Sequence, residues 1–271
     1  MNTTTTLILN SLLIAALSAS IAYVIMRWSF SPKRHAELAR KFDGMNIAGL
    51  NSGAIILLSL GIAFVFNDIS NVHLRAKTSL LQEADALRTL GRMALNIDSS
   101  VGAPLMAATR DYTSSVLQKE WPALQQGKPQ AIRTGENSAL RPLTVMSDIV
   151  YSPENLTRLP AITSMHLGTL VARVREQRLL RIDASEFSIG IRGLLLACVT
   201  LLASSALLSL AMLTKPSIQY LSNFLLYLVT LIALYLAYIA QNPFSGLDVM
   251  SSAPMQEALD RLTNMQLTRG N

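Results

Sequence analysis

The sequence predicts an all-α integral membrane protein: four transmembrane helices, with a helical extramembrane domain inserted between spans two and three. Three observations predict it. Apolar runs of about 20 residues, the length that crosses a bilayer core, occur at 7–26, 47–66, 193–213 and 218–240. Only 15% of the 271 residues are charged against 51% hydrophobic, and mean hydropathy is +0.36, a balance soluble domains rarely show. Between the second and third runs, apolar residues recur at three- and four-residue steps with no alternating stretch, which is the period of helices and not of strands.

The first hairpin spans 1–66. Residues 1–6 carry no charge, and the basic residues Arg27, Lys33, Arg34, Arg40 and Lys41 follow the first apolar run instead of preceding it. A secretory leader wants its positive charge in front, so 7–26 reads as a retained span, although Ala16 to Ser20 has the small residues of a cleavage site. The loop 27–46 is cytoplasmic by the positive-inside rule, which places the N-terminus outside. The second run then continues past Asn67-Asp68 without Gly or Pro. Ile69, Val72, Ala76, Leu80, Ala84, Leu87, Leu90 and Ala94 form one face, and the opposite face carries Arg75, Lys77, Glu83, Asp85, Arg88 and Arg92. One long helix, or two coaxial ones, therefore becomes the first wall of the extramembrane domain at 67–188.

Within that domain Pro104 opens a second helical pattern carrying Leu105, Tyr112, Val116, Trp121 and Leu124 and ending near Gly127. Residues 128–151, interrupted by Pro129, Gly135 and Pro142, predict a loop and one helix. Ser152-Pro153-Glu154 is a start signal, Pro160 restarts the turn, and Ile162 to Phe187 form a long amphipathic helix feeding the third span. The first and last of these helices lie side by side, since both are tethered to one membrane surface. Arg175, Arg178 and Arg181 then face helices bearing Glu83 and Asp85, as structural salt bridges or, less simply, as a ligand site.

The second hairpin, 189–240, turns at Thr214-Lys215-Pro216-Ser217. A C-terminal tail, 241–271, follows the sharp Asn242-Pro243-Phe244-Ser245-Gly246 turn with a short helix from Pro254. Both short loops that should be basic are basic, which places both termini and residues 67–188 outside the cytoplasm. The 14 basic and 12 acidic residues of 67–188 carry little weight in so long a domain. Arg173, Arg175, Arg178 and Arg181, close before the third span, argue for the reverse orientation.

The net charge of +6 marks topology and not nucleic acid, because no basic run with interleaved aromatics occurs. His35, His73 and His166 stand at no metal spacing, and no HExxH, CxxC or Gly-rich phosphate loop is present. No Asp or Glu lies in any span, which removes the usual proton relay. The lone Cys198 makes no intrachain disulfide. The chain reads as no enzyme, with neither cofactor nor metal. Ser52 and Ser59 share a face of the second span that Phe66 continues, and Gly49, Gly53 and Gly61 allow close approach. That face lines a pore, or serves ordinary packing within one protomer. Arg75, Lys77 and Arg192 at the membrane edge form a basic pore mouth or extend to headgroups.

Five short stretches carry a resemblance: Ile47-Ala48-Gly49; Glu83-Ala84 with Leu87; Tyr112 followed by Glu120-Trp121-Pro122; Arg178 with Arg181; and Pro243-Phe244 with Gly246. In their order and spacing the sequence resembles the bacterial bestrophin-homologue, or bestrophin-like, family of four-span membrane proteins, defined by a domain of unknown function. Glu120, Trp121, Pro122, Arg178, Arg181, Pro243, Phe244 and Gly246 become its structural motif residues. Family members often place an acid and a base before Pro-Phe where this chain has Gln241 and Asn242, so no charge pair carries over there. Bestrophins proper are pentameric anion channels lined by the second span. The resemblance therefore implies a homo-oligomeric, anion-permeable channel in a bacterial inner membrane. Ser52, Ser59, Ile62 and Phe66 would face its pore, the larger groups forming a dewetting constriction. Bestrophins proper keep their large domain in the cytoplasm, whereas the charge pattern here puts it outside. A non-conducting membrane sensor or scaffold, whose extramembrane bundle binds a partner protein, is the alternative.

Overall fold

The computed structural model describes residues 47–133, 135, 138–187, 191–211, 216–245 and 249–270. The predicted first span, the 27–46 loop, the Thr214-Lys215 turn and Gly246 lie outside the described residues. Those described hold ten α-helices: α1 (Ile47–Asn96), α2 (Ser99–Ser115), α3 (Trp121–Gln125), α4 (Pro129–Arg133), α5 (Leu140–Tyr151), α6 (Pro153–Arg158), α7 (Ala161–Ser185), α8 (Ile191–Ala211), α9 (Pro216–Ala240) and α10 (Ala253–Gly270). A π-helical turn, Val116–Glu120, joins α2 to α3, and no strand occurs among the described residues. The chain divides into two compact units, one drawn from Met1–Ile69 and Ile189–Ile239, the other from Ser70–Ser188 and Ala240–Asn271.

In the first unit, the α1 residues Leu58, Gly61, Val65 and Ile69 are buried, at the three- and four-residue steps of one helix face. A Cβ at Gly61 would sit 3.7 Å from the Leu196 side chain, so α1 and α8 are close neighbours there. Among the described residues two helices are long and apolar enough to cross a membrane, within Asn51–Asn96 and Tyr220–Ala240, while the apolar stretch of α8, Leu195–Ser209, is shorter. Ile56, Leu57, Phe64, Leu195, Val199, Leu202 and Val229 are all exposed, an apolar exterior suited to lipid and not to water.

The second unit is built on the wet half of α1. Ala76, Leu80, Ala84, Leu87, Leu90 and Ala94 are all buried, which fulfils the amphipathic pattern residue by residue. α2 begins earlier than Pro104 suggested. Asp98 caps it, its carboxylate accepting from the Ser100 N–H at 2.8 Å, and Pro104 lies inside the helix. Proline there removes the N–H that would bond the Ser100 carbonyl, but both residues are exposed, where solvent can take its place. Gly102 makes the α1–α2 corner possible, because a Cβ there would collide with the Ala94 carbonyl.

The π-turn precedes Pro122, which has no N–H to continue a regular ladder. The Trp121 N–H instead reaches the Val116 carbonyl, and Glu120 and Trp121 both turn inward. α3 then ends in a Schellman motif: Lys128 N–H donates to the Ala123 carbonyl at 2.9 Å and Gly127 N–H to that of Leu124 at 3.0 Å, with Gly127 at φ 66°. α2 packs on α5 and α10, and α5 on α7. The stretch expected as a loop and one helix contains two helices, α4 and α5. The tail helix is longer than expected, 18 residues, and its Met255, Ala258 and Leu262 are buried, Leu262 against Gly91. Phe244 meets Trp121 edge-to-face, ring centroids 5.4 Å apart at 87°.

Candidate functional site

The pore-face candidates all lie on α1. Ser52, Ser59 and Phe66 are exposed and Ile62 is half-buried, about a quarter-turn around the helix from buried Leu58, Gly61 and Val65. The Ser59 hydroxyl donates to the Ile55 carbonyl at 2.9 Å. That bond satisfies its proton and leaves the oxygen lone pairs facing outward, a neutral polar stripe on an apolar helix.

A second polar feature of this unit was not singled out as a group by its spacing in sequence. The Ser205 hydroxyl donates to Asn223 Oδ1 at 2.8 Å, Asn223 Nδ2 to the Ser209 hydroxyl at 3.0 Å, and the Tyr227 hydroxyl to Ser205 at 3.1 Å. All four residues are buried, so this ladder fastens α8 to α9 as a hairpin with neutral groups alone.

In the other unit the motif residues converge on a buried charge cluster. Arg181, fully buried, donates through Nε and Nη2 to the two Glu83 carboxylate oxygens at 2.9 and 3.2 Å, and through Nη2 to Glu120 at 2.9 Å. Arg178 donates to Glu120 Oε1 from Nη2 at 2.6 Å and from Nε at 2.9 Å, and to the Ser138 hydroxyl at 2.9 Å. The Ala139 N–H adds a bond to Glu120 at 2.7 Å, and the Tyr112 hydroxyl donates to Glu83 at 2.5 Å. Two carboxylates thus meet two guanidinium groups, and the formal charges cancel. Buried Nη1 of Arg181 has no hydrogen-bond partner.

Burial alone would raise the Glu120 carboxyl, but the Arg181 and then the Arg178 charge outweigh it and hold it below the ordinary glutamate range. Burial, followed by the Glu83 and Glu120 charges, pushes the Tyr112 hydroxyl well above its ordinary value, so it stays a neutral donor. The Arg181 guanidinium is held charged by Glu83 and Glu120 against its burial.

The predicted pairing of Arg178 and Arg181 with acids is met in part. Glu83 is a partner, whereas Asp85 contacts Arg88 at 3.9 Å and Arg175 is exposed. Glu120, Tyr112, the Ser138 hydroxyl and the Ala139 N–H complete what the arginine stripe did not reveal. Phe244 packs on Trp121, which follows Glu120 directly. Of the basic candidates, Lys77 is exposed, Arg75 lines a groove with Asp183 and Glu186, and the Arg192 side chain lies outside the described residues.

The bestrophin-like domain matches this chain over residues 12–255. The chain belongs to the bestrophin-like family. It is accordingly a membrane protein, and its apolar helices are those of that family's fold. A crystal structure of a bacterial bestrophin homologue from Klebsiella pneumoniae is similar with a TM-score of 0.64 over 98% of this chain and 98% of that one, at 13% identity. A zinc-phased structure of the Klebsiella homologue gives a TM-score of 0.63 over 95% of this chain and 98% of its own, at 14% identity. At that identity the likeness establishes the fold. No curated protein matches the sequence.

Proposed function

We propose that this bestrophin-like chain is one subunit of a homo-oligomeric, anion-permeable channel whose path is lined by the α1 face of Ser52, Ser59, Ile62 and Phe66. The observation that carries this reading is the exposed stripe of Ser52, Ser59 and Phe66 on an otherwise apolar helix, about a quarter-turn from its buried face. Hydroxyl groups suit a wetted path, and Ile62 and Phe66 narrow it by excluding water when they ring an axis. Lys77, exposed, supplies positive charge at the mouth. Four spans, at 7–26, 47–66, 193–213 and 218–240, hold the 67–188 domain and both termini outside the cytoplasm of a bacterial inner membrane. No acid–base or nucleophile constellation is needed, because permeation is passive.

The test is halide efflux from vesicles containing the purified protein, with imaging of the assembly in nanodiscs. A ring centred on α1 is expected, with efflux that rises several-fold in Phe66→Ala and changes halide preference in Ser59→Ala. A monomer without efflux sinks the reading. The second reading, a sensor or scaffold that binds a protein partner, draws on exposed Ile162 (71%) and Met165 (66%) at the start of α7. It predicts that those two side chains are shielded by a specific partner while the vesicles stay tight to halide.

A further inference from the structure

Two buried oxygens of the apolar unit, Asn51 Oδ1 on α1 and Ser204 Oγ on α8, make no hydrogen bond among the described residues. Ser204 is fully buried; Asn51 is half-buried, with its amide oxygen enclosed. Other hydroxyls of these helices are satisfied locally. Ser59, Thr200 and Thr230 each donate to the carbonyl four residues back, at 2.9, 2.8 and 2.8 Å. Ser204 does not, although the Thr200 carbonyl occupies that place. Its neighbour Ser205 faces α9 and donates to Asn223. Successive helical residues point about 100° apart, so Ser204 is turned away from that ladder.

The two unpaired oxygens lie at one level of the unit. α1 leaves this unit at Ile69 and the chain re-enters it at Ile189, so α1 and α8 run in opposite directions. The two helices approach where a Cβ at Gly61 would sit 3.7 Å from the Leu196 side chain. From there Asn51 is ten residues back along α1 and Ser204 eight residues on along α8. Those steps are about 15 Å and about 12 Å in the same direction. Asn51 shares a face with buried Leu58 and Val65 at seven-residue steps, and Ser204 shares one with buried Ala197.

Their chemistry selects the occupant. The Asn51 amide oxygen only accepts, so whatever answers it must donate, which an anion does not. A cation would need more oxygens than these and a countercharge, and the four apolar runs contain no Asp, Glu, Lys or Arg. A lipid tail satisfies neither atom. A neutral molecule that both donates and accepts fits, and water is the smallest such group, suited to polar atoms that packing leaves unmet.

We infer that Asn51 and Ser204 hold one structural water that bridges α1 to α8. The water donates to Asn51 Oδ1 and shares a hydrogen bond with the Ser204 hydroxyl. It sets a polar joint on α1 at the residue before Ser52, on the side packed against α8. The site stands whether or not the chain conducts.

A density map of the full-length protein in nanodiscs, fine enough to show ordered waters, tests it. One isolated peak is expected about 2.8 Å from both Asn51 Oδ1 and Ser204 Oγ, unchanged in height when bromide replaces chloride. Thermal melting supplies the second readout. Ser204→Ala and Asn51→Leu should each lower the melting temperature, because each leaves the other site's polar atom short of partners. The double variant should melt no lower than the worse single, since neither polar atom is left to satisfy. A map with no peak, a direct Asn51–Ser204 contact, or losses that add in the double variant overturn the inference. So does a peak that grows in bromide, which would make this a halide site. If a variant fails to assemble, the wild-type map alone decides.

Discussion

In α8 and α9 the buried polar side chains are neutral, a Ser205–Asn223–Ser209 ladder with Tyr227 at one end, whereas the other unit buries four formal charges in one cluster. The difference follows from what each environment offers. An apolar hairpin has nothing to compensate a charge, and hydroxyl and amide groups that satisfy each other avoid the cost. The helical unit can bring acid and base from three segments to one point, so Glu83, Glu120, Arg178 and Arg181 neutralise one another. Neutral ladders hold two helices together with little dependence on pH. A charge cluster fixes the register of several segments and becomes costly as soon as one member is lost.

The largest break in this comparison comes from Arg181→Met, which strands Glu83 and Glu120. A loss of about 3–5 kcal/mol is expected, read from Trp121 fluorescence during denaturant unfolding in a Trp28→Phe background. Glu83→Gln added to that variant should restore part of the loss, since fewer unpaired charges stay buried. Phe244→Ala should cost about 3 kcal/mol through the void left against Trp121, and the same fluorescence should shift to the red.

Acid sharpens the contrast further. Because Glu120 is held below the ordinary range, its contribution is present above the unfolded value of about 4.3 and is lost as pH falls through its lower folded value. The Trp121 signal should therefore hold steady through neutral pH and show destabilisation only below about pH 4. Glu120→Gln should flatten that acid limb while lowering the neutral plateau. The smallest effect belongs to the neutral ladder: Asn223→Ala should cost only about 0.6–1.7 kcal/mol and with no pH dependence. A large, acid-sensitive loss in Asn223→Ala would break the distinction between the two units.

Much of this was legible along the chain. Ala76, Leu80, Ala84, Leu87, Leu90 and Ala94 are buried where the amphipathic pattern put them, although Glu83, expected on the opposite face, is buried as well, and the α6–α7 break at Pro160 followed from proline's geometry. α2 starts at Ser99, five residues ahead of the first-turn position that Pro104 suggested, because Asp98 caps it. Arg178 and Arg181 announced that acids must answer them, since arginine on the inner face of a helix is not left unpaired. The choice of Glu120 was hidden, because it depends on a π-turn that no spacing rule shows. The Ser205–Asn223 ladder was equally hidden, because single serines in an apolar run look alike whether or not they face a partner.

The sequence by itself determined the helices, the apolar runs and the inward face of each amphipathic segment, because period and composition act over a few residues at a time. Only the tertiary structure decided which groups meet. Arg181 reaches Glu83 across 98 residues and Glu120 across 61. The two arginines and their acids are joined only after α1, the π-turn and α7 have packed. A local pattern can state that a charge needs a partner, but the partner's identity is set by the packing of distant helices.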